Sequence, residues 1–389
     1  MDSIAIKKKK MILLSGSGDT VVWFRLEFLE KFIDQSFNVY VLVPDIRPEL
    51  KKELDKRGID LIFIKLERKG FNVFNLLQST VELIKIFRII KPDIIFSYTH
   101  KAILSGSLAA KLSGFSNLYS LITGTGHLFD NKTYKEKFFK FLGTMLLRLA
   151  LKFNKIVFFQ NPDDKKLFID HKIIEPKQSR IVNGSGVNLK KFNVESLPSS
   201  PIFMTMARLI KSKGLIEFAK SARELKKTHP NARFLLYGYP DDHPDSISES
   251  DIANNWYKEY GVEYCGYTKD PYHAIRRCSV FVLLSYKEGT PRVILEAMAM
   301  GRPIITTDAP GCRETVLDKI NGFLVPKYDH LEASKAMKEL IDEKLRFEMG
   351  AESRSLCESK FNVVDVNNNL FTEMNLIQQH KKPTNLDHS

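Results

Sequence analysis

Two glutamates and two cations carry the first chemical signal in this chain. Glu288 lies in the stretch Leu284-Ser285-Tyr286-Lys287-Glu288-Gly289-Thr290-Pro291-Arg292, and Glu296 follows eight residues later. Carboxylates accept hydrogen bonds from hydroxyls, so two of them around one strand-to-helix turn suit a polyol such as a sugar or a ribose. Pro291 suits the first helical position, which would aim the amides of Gly289 and Thr290 at whatever occupies the turn. Glu296 reads either as a solvated helix residue or, given its apolar neighbours Val293, Ile294, Leu295, Ala297 and Met298, as a buried carboxylate that needs partners. Arg208 and Lys213 flank a second turn, Arg208 to Gly214. Two cations at a helix N-terminus suit a diphosphate, and arginine can bind two oxygens at once. A third turn, Ser15-Gly16-Ser17-Gly18-Asp19-Thr20, supplies G-x-G but places Val21 where a dinucleotide fingerprint wants Gly or Ala. It reads as a glycine turn that lets a ligand approach a helix N-terminus.

These turns need strands to hold them. Short β-rich apolar runs are expected at 11–15, 38–43, 60–64, 93–97, 118–123, 155–160 and 180–183, with amphipathic helices at 20–34, 73–90 and 102–112 between them. The runs are apolar without alternation, as in strands covered on both faces. After a Gly, Asn, Ser and Pro-rich break the pattern restarts, with strands expected at 202–207, 233–238, 262–265, 280–284, 303–307 and 322–325. Helices are expected at 214–228, 252–260, 271–278, 291–300 and 331–342. The fold class is therefore α/β, with two tandem doubly wound, Rossmann-like domains. The expected boundaries are 1–184, a linker 185–201, 202–360, a C-terminal helix within 361–380 that crosses back to the first domain, and a disordered tail 381–389. The stretch Pro240–Asp251 reads as a solvated loop.

Composition narrows the classes. At 389 residues, with 43% hydrophobic and 27% charged side chains, the chain is globular and large enough for two domains. The four cysteines have no C-x-x-C spacing, which argues against a zinc site or a disulfide framework and for a reducing compartment. The net charge of +13 calls for a polyanionic partner: nucleic acid, an anionic membrane or a phosphorylated substrate. No run reaches the roughly 18 apolar residues of a spanning helix. The apolar start, Met11–Leu14, is short for a signal peptide, so a cytoplasmic location is expected.

Taken together, Ala207-Arg208-x4-Lys213-Gly214 and Glu288-x7-Glu296 within E-G-T-P-R-V-I-L-E-A-M-A-M-G-R-P resemble the family 4 retaining nucleotide-sugar glycosyltransferases. Thr307-Asp308-Ala309-Pro310-Gly311-Cys312-Arg313-Glu314 is similar to the next loop of that family. In the first half, Ser97-Tyr98-Thr99-His100-Lys101, Gly106–Ala110 and Thr123-Gly124-Thr125-Gly126 look like enzymes that extend polyprenyl-diphosphate-linked bacterial glycans, N-acetylgalactosaminyltransferases and capsular enzymes among them. The resemblance implies a GT-B fold, with a UDP-sugar held by the second domain and a lipid-linked saccharide acceptor by the first. It implies that Arg208 and Lys213 neutralise the donor diphosphate and that Glu288, Gly289 and Thr290 hold the sugar. Glu296 would take the ribose, Tyr267 would lie beside the base, and Gly184 and Ser185 would border the diphosphate, with Gly16, Gly18 and Pro291 completing the donor side. Arg25, Thr125, Gly126 and His127 fall on the acceptor side. Arg208, Lys213, Glu288 and His100 are the expected catalytic set. No metal or cofactor is expected, because the two cations would stand in for a metal.

The segment Asn131–Lys155 sets seven cations among aromatic and aliphatic residues and opposes them with Glu136 alone, so it reads either as a helix lying on an anionic membrane or as one packed on its own sheet. Two rival readings of the whole chain are a GT-B sugar-nucleotide epimerase and a nucleic-acid-binding protein. The glutamate pair argues against the first, and the absence of a recognisable nucleic-acid module against the second.

Overall fold

The computed structural model describes residues 8–67, 72–125 and 134–377. Thirteen strands form two sheets among these residues. The first contains β1 (Lys10–Leu14), β2 (Asn38–Val43), β3 (Asp60–Phe63), β4 (Ile94–Tyr98), β5 (Leu118–Ile122), β6 (Ile156–Phe159) and β7 (Ser179–Ile181), in the order β3-β2-β1-β4-β5-β6-β7. The second contains β8 (Ile202–Arg208), β9 (Arg233–Tyr239), β10 (Val262–Tyr264), β11 (Val280–Leu283), β12 (Ile304–Thr307) and β13 (Gly322–Val325), in the order β10-β9-β8-β11-β12-β13. All pairings are parallel; Met11, for instance, faces Val39 on one side and Ile94 on the other. Both sheets reverse strand order beside their first strand, between β1 and β4 and between β8 and β11, where open α/β sheets open a crevice at their carboxyl ends.

Apolar runs make the strands because helices cover both faces. Met11 to Leu14 and Val280 to Leu283 are buried throughout. Helices missing from the expected pattern are Pro48–Asp55, Pro162–Asp170 and the long Glu343–Lys360. The helix expected to end near 379 covers Val363–Glu373. It packs on the first domain: Phe371 meets Phe32 at 4.5 Å and Phe28 at 5.7 Å between ring centroids, and Val366, Leu370 and Met374 join the same core. Removing a buried phenylalanine costs about 3–5 kcal/mol, so Phe371 is a structural member of a domain that precedes it by almost two hundred residues.

The linker is tied down by buried arginines. Arg302 donates to the carbonyls of Glu195 at 2.6 Å and Ser196 at 3.2 Å, and Arg346 donates to that of Ser199 at 2.5 Å. The outgoing and returning crossings between the domains also pair, Val187 N donating to Phe361 O at 2.8 Å and Val363 N to Val187 O at 3.0 Å.

Candidate functional site

The second-domain crevice is built by two loops zipped together. Gly214 has φ +69°, and a Cβ there would sit 2.0 Å from the Leu284 carbonyl oxygen, so only glycine lets the loop after β8 lie on the end of β11. Ser285 Oγ and Tyr286 N both donate to the Ser212 carbonyl, at 3.2 and 3.0 Å. This closeness brings Lys213 onto Glu288 as a largely buried ion pair. Arg208 Nη1 bonds Asp241 Oδ2 at 2.8 Å. The two cations expected to meet a diphosphate at this turn are both paired with carboxylates. The correction extends to Pro240–Asp251: it is no mere solvated loop, since Asp241 reaches Arg208 and its last residues open the helix Glu249–Tyr260.

Pro291 precedes the helix Arg292–Ala299 rather than occupying its first position. Glu296, one turn in, keeps 12% of its side chain exposed, and this partial burial pushes its carboxyl above the usual range while Arg292 pulls it back. Arg292 Nε lies 3.2 Å from Glu296 Oε1, and its Nη1 donates to Ser185 Oγ at 3.2 Å and to the Gly186 carbonyl at 2.5 Å. One guanidinium thus joins Glu296 to the crossing between domains. Motif reading passed over Arg292; its i,i+4 spacing to Glu296 was the available signal.

The Glu288–Thr290 loop is clasped by the first domain. Asn161 Nδ2 donates to the Gly289 carbonyl at 2.9 Å, and Thr290 Oγ1 to the Gln160 carbonyl at 3.0 Å. A Cβ on Gly289 would fall 2.3 Å from both Gln160 Oε1 and the Thr123 carbonyl. Gly184, at φ +64°, similarly makes room for Thr290. Further out, Arg313 bridges to Asp163 at 2.9 Å. Tyr267, half exposed and edge-on to Tyr239 at 5.5 Å, lies near Arg47 of the first domain, whose Nε bonds Asp19 at 2.7 Å.

Across the crevice, β1 and β4 end side by side. Gly16 N donates to Thr99 Oγ1 at 3.1 Å, and Thr99 holds the left-handed φ +71° rare for a β-branched residue. Gly18 does not border an open ligand space: its amide bonds the Asp45 carbonyl at 2.8 Å, and a Cβ would strike Ile46 at 2.5 Å, so it serves helix packing. His100 opens the helix His100–Leu112, and its Nε2 is buried without a partner among the described residues. Burial, with Lys287 nearby as the lesser cause, lowers its pKa to about 4, so the ring is neutral near pH 7. Thr125 Oγ1 is likewise buried with no partner among the described residues. Arg25 is 2% exposed, with Nε and Nη1 unpartnered among the described residues. Its guanidinium lies 5.9 Å from the Tyr98 ring centroid, and burial lowers its pKa to about 10. Gly126 and His127 lie outside the described residues.

The geometry brings cations, carboxylates and a neutral imidazole to two facing sheet edges, an arrangement able to hold a polyol joined to a diphosphate. Among the described residues no group of three or more His, Cys, Asp or Glu is placed to hold a metal ion.

The glycosyl transferases group 1 family matches residues 188–356, and the glycosyl transferase 4-like family matches 11–161. The N,N'-diacetylbacillosaminyl-diphospho-undecaprenol alpha-1,3-N-acetylgalactosaminyltransferase of Campylobacter jejuni is 29% identical over 86% of this chain and 90% of its own length. The UDP-Gal:alpha-D-GlcNAc-diphosphoundecaprenol alpha-1,3-galactosyltransferase of Escherichia coli is 24% identical over 91% and 92%. Among solved structures, Anabaena HepE in complex with UDP superposes with a TM-score of 0.75 at 17% identity, covering 95% of this chain and all of that one.

Proposed function

Since this chain is a glycosyltransferase, group 1 in its second half and 4-like in its first, we propose that it moves a hexose or N-acetylhexosamine from a UDP-sugar to a lipid-linked saccharide, with retention of configuration. The observation that carries the reading is the Lys213–Glu288 pair, set at the second-domain switch point and clasped to the first domain through Gly289. Support for the acceptor class comes from the relatives that act on undecaprenyl-diphosphate sugars.

In this reading Lys213 and Arg208 turn from Glu288 and Asp241 toward the donor diphosphate, and the carboxylates they leave accept hydrogen bonds from the sugar. Glu296 accepts from the ribose hydroxyls while Arg292 holds it aimed. The acceptor hydroxyl oxygen bonds to the anomeric carbon as the bond from that carbon to the β-phosphate oxygen breaks. The proton leaves the acceptor for the departing phosphate on the same face. Charge grows on that phosphate, and fixed cations stabilise it as it grows. His100, neutral and in the first-domain edge, hydrogen-bonds the transferred sugar or the acceptor. Arg208 and Lys213 supply the positive charge, so the reaction is read as metal-independent and the enzyme as acting at the cytoplasmic membrane surface.

The test is incubation with a panel of UDP-sugars, measuring UDP release with and without a polyprenyl-diphosphate-sugar. Release that depends on one sugar and on the acceptor is expected. Acceptor-independent conversion of the sugar nucleotide to its epimer, or no turnover across the panel, would overturn the reading.

A further inference from the structure

The first domain turns an apolar, basic helix face to solvent. Helix Val73–Ile90 seats Leu83 and Phe87 in the core, yet Phe74 and Ile89 are 72% and 78% exposed, and Leu77 and Val81 are more than half exposed. Gln78, Lys85 and Arg88 are exposed as well. At about 100° per residue these seven positions fall in one stripe about 120° wide. The stripe holds four large apolar side chains, two cations and no carboxylate. Glu82, the helix's single acid, lies off the stripe and accepts from the Lys65 amide at 2.9 Å.

A neighbouring helix extends the same chemistry. Helix His100–Leu112 touches both Val73–Ile90 and Tyr134–Leu151. On the described turns of the latter, Met145 and Leu149 are about half exposed beside exposed Arg148 and Lys152. The basic residues Lys132, Lys135, Lys137 and Lys140 of Asn131–Lys155 have side chains outside the described residues. Each of these helices precedes its strand in a parallel sheet and runs antiparallel to it, so its N-terminus lies at the carboxyl edge. Phe74 therefore lies toward the cleft, on the side of His100, with Lys85 and Arg88 farther away.

We propose that this face, with helix Val73–Ile90 as the inserted element, seats the enzyme on an anionic bilayer and holds the first-domain cleft edge at the lipid surface. The inference deepens the lipid-linked-acceptor reading and takes its partner from charge complementarity. An amphipathic helix with apolar and basic residues on one face binds an anionic interface through both, and its cations lose their grip beyond a Debye length. A second copy docked stripe to stripe would set cations against cations and bring no carboxylate to them. No described helix is long and apolar enough to cross a membrane.

Flotation with vesicles of phosphatidylglycerol and phosphatidylethanolamine, against neutral phosphatidylcholine, tests it. Wild type should float with anionic vesicles at low salt and lose roughly tenfold or more of its partitioning at high salt. Leu77→Glu with Val81→Glu, and separately Lys85→Glu with Arg88→Glu, should lower partitioning by a similar factor without changing the thermal melting point appreciably. Phe347→Glu, which charges a comparably exposed apolar residue in the second domain, should leave it unchanged. Stripe variants that float like wild type, or wild type that ignores lipid charge, would overturn the proposal. So would stripe variants that break a dimer in sedimentation and still float. Transfer to a water-soluble, short-chain diphosphate-sugar should survive in the stripe variants. A wild type that floats but transfers to no acceptor counts against the functional reading and leaves this face standing.

Discussion

The two sheet edges that face the cleft satisfy their polar groups in opposite ways. On the second-domain edge, charged side chains come in pairs: Lys213 with Glu288, Arg208 with Asp241, Arg292 with Glu296. On the first-domain edge, buried atoms of Arg25, Ser97, His100 and Thr125 have no partner among the described residues. A paired edge can exchange partners with a ligand that offers both hydroxyls and phosphates while each charge stays compensated. An edge of unpartnered groups lowers stability by about 1–3 kcal/mol per group, and such groups persist where function holds them. The second-domain edge is thus organised around exchange of partners, and the first-domain edge around buried polar groups whose partners the described residues do not supply.

Breaking one member of a pair should show this most strongly. Lys213→Met should destabilise the fold by about 3–5 kcal/mol, because Glu288 is left buried and alone, while Lys213→Met with Glu288→Leu should recover most of that loss. Both should lose about tenfold to a hundredfold or more in kcat/KM. Denaturant melts and turnover, measured together, separate the two effects; a double variant as unstable as the single would contradict an exchangeable pair.

The His100 edge should respond to acid. Its folded pKa, about 4, lies below the ordinary histidine value of 6.5. The unfolded chain takes up the proton first, so the contribution is present above about pH 6.5 and lost as pH falls toward 4. That amounts to about 3 kcal/mol. His100→Gln should flatten the stability profile over this window; an unchanged profile would show that the ring titrates normally.

Arg25→Met tests the same edge without a pH change. Replacing a buried guanidinium, two of whose nitrogens have no partner among the described residues, by an apolar side chain should stabilise the fold by about 2 kcal/mol, leave UDP affinity near wild type and depress transfer. A fall in melting temperature would mean that Arg25 is already compensated.

Smaller effects sharpen the donor side. Glu296→Gln should weaken UDP binding about tenfold in calorimetry, whereas Glu288→Gln should leave it within about twofold and act on turnover. Equal losses would merge the two roles. EDTA should change activity least of all, and a requirement for Mg²⁺ or Mn²⁺ would mean that Arg208 and Lys213 do not suffice.

Much of this was legible in residue types. Unbroken apolar runs located the strands, because a strand buried on both faces shows no alternation. Glycine, arginine and lysine at the loop after β8 marked the second-domain crevice. Helix Glu343–Lys360 was not legible, since its buried face is Arg346, Met349, Gly350, Ser353 and Cys357, where periodicity survives but hydrophobicity does not. Arg346 is buried there through hydrogen bonds to the carbonyls of Leu340 at 2.9 Å and Ile341 at 2.6 Å. Ion pairing between distant loops was equally hidden. Asp241 sits in a loop rich in Asp, Ser and Pro that composition alone assigns to solvent, and only the approach of β9 to β8 brings it to Arg208.

The helix Val363–Glu373 also sets an order of events during synthesis. A nascent chain that has emerged to residue 184 holds every strand of the first sheet but lacks Val366, Leu370, Phe371 and Met374 from the core beneath it. At about 5–20 residues per second, those side chains follow roughly 10–40 s later. The first domain to be made is therefore the last to be sealed, and until then the Phe28–Phe32 surface is open to chaperones and to other nascent chains.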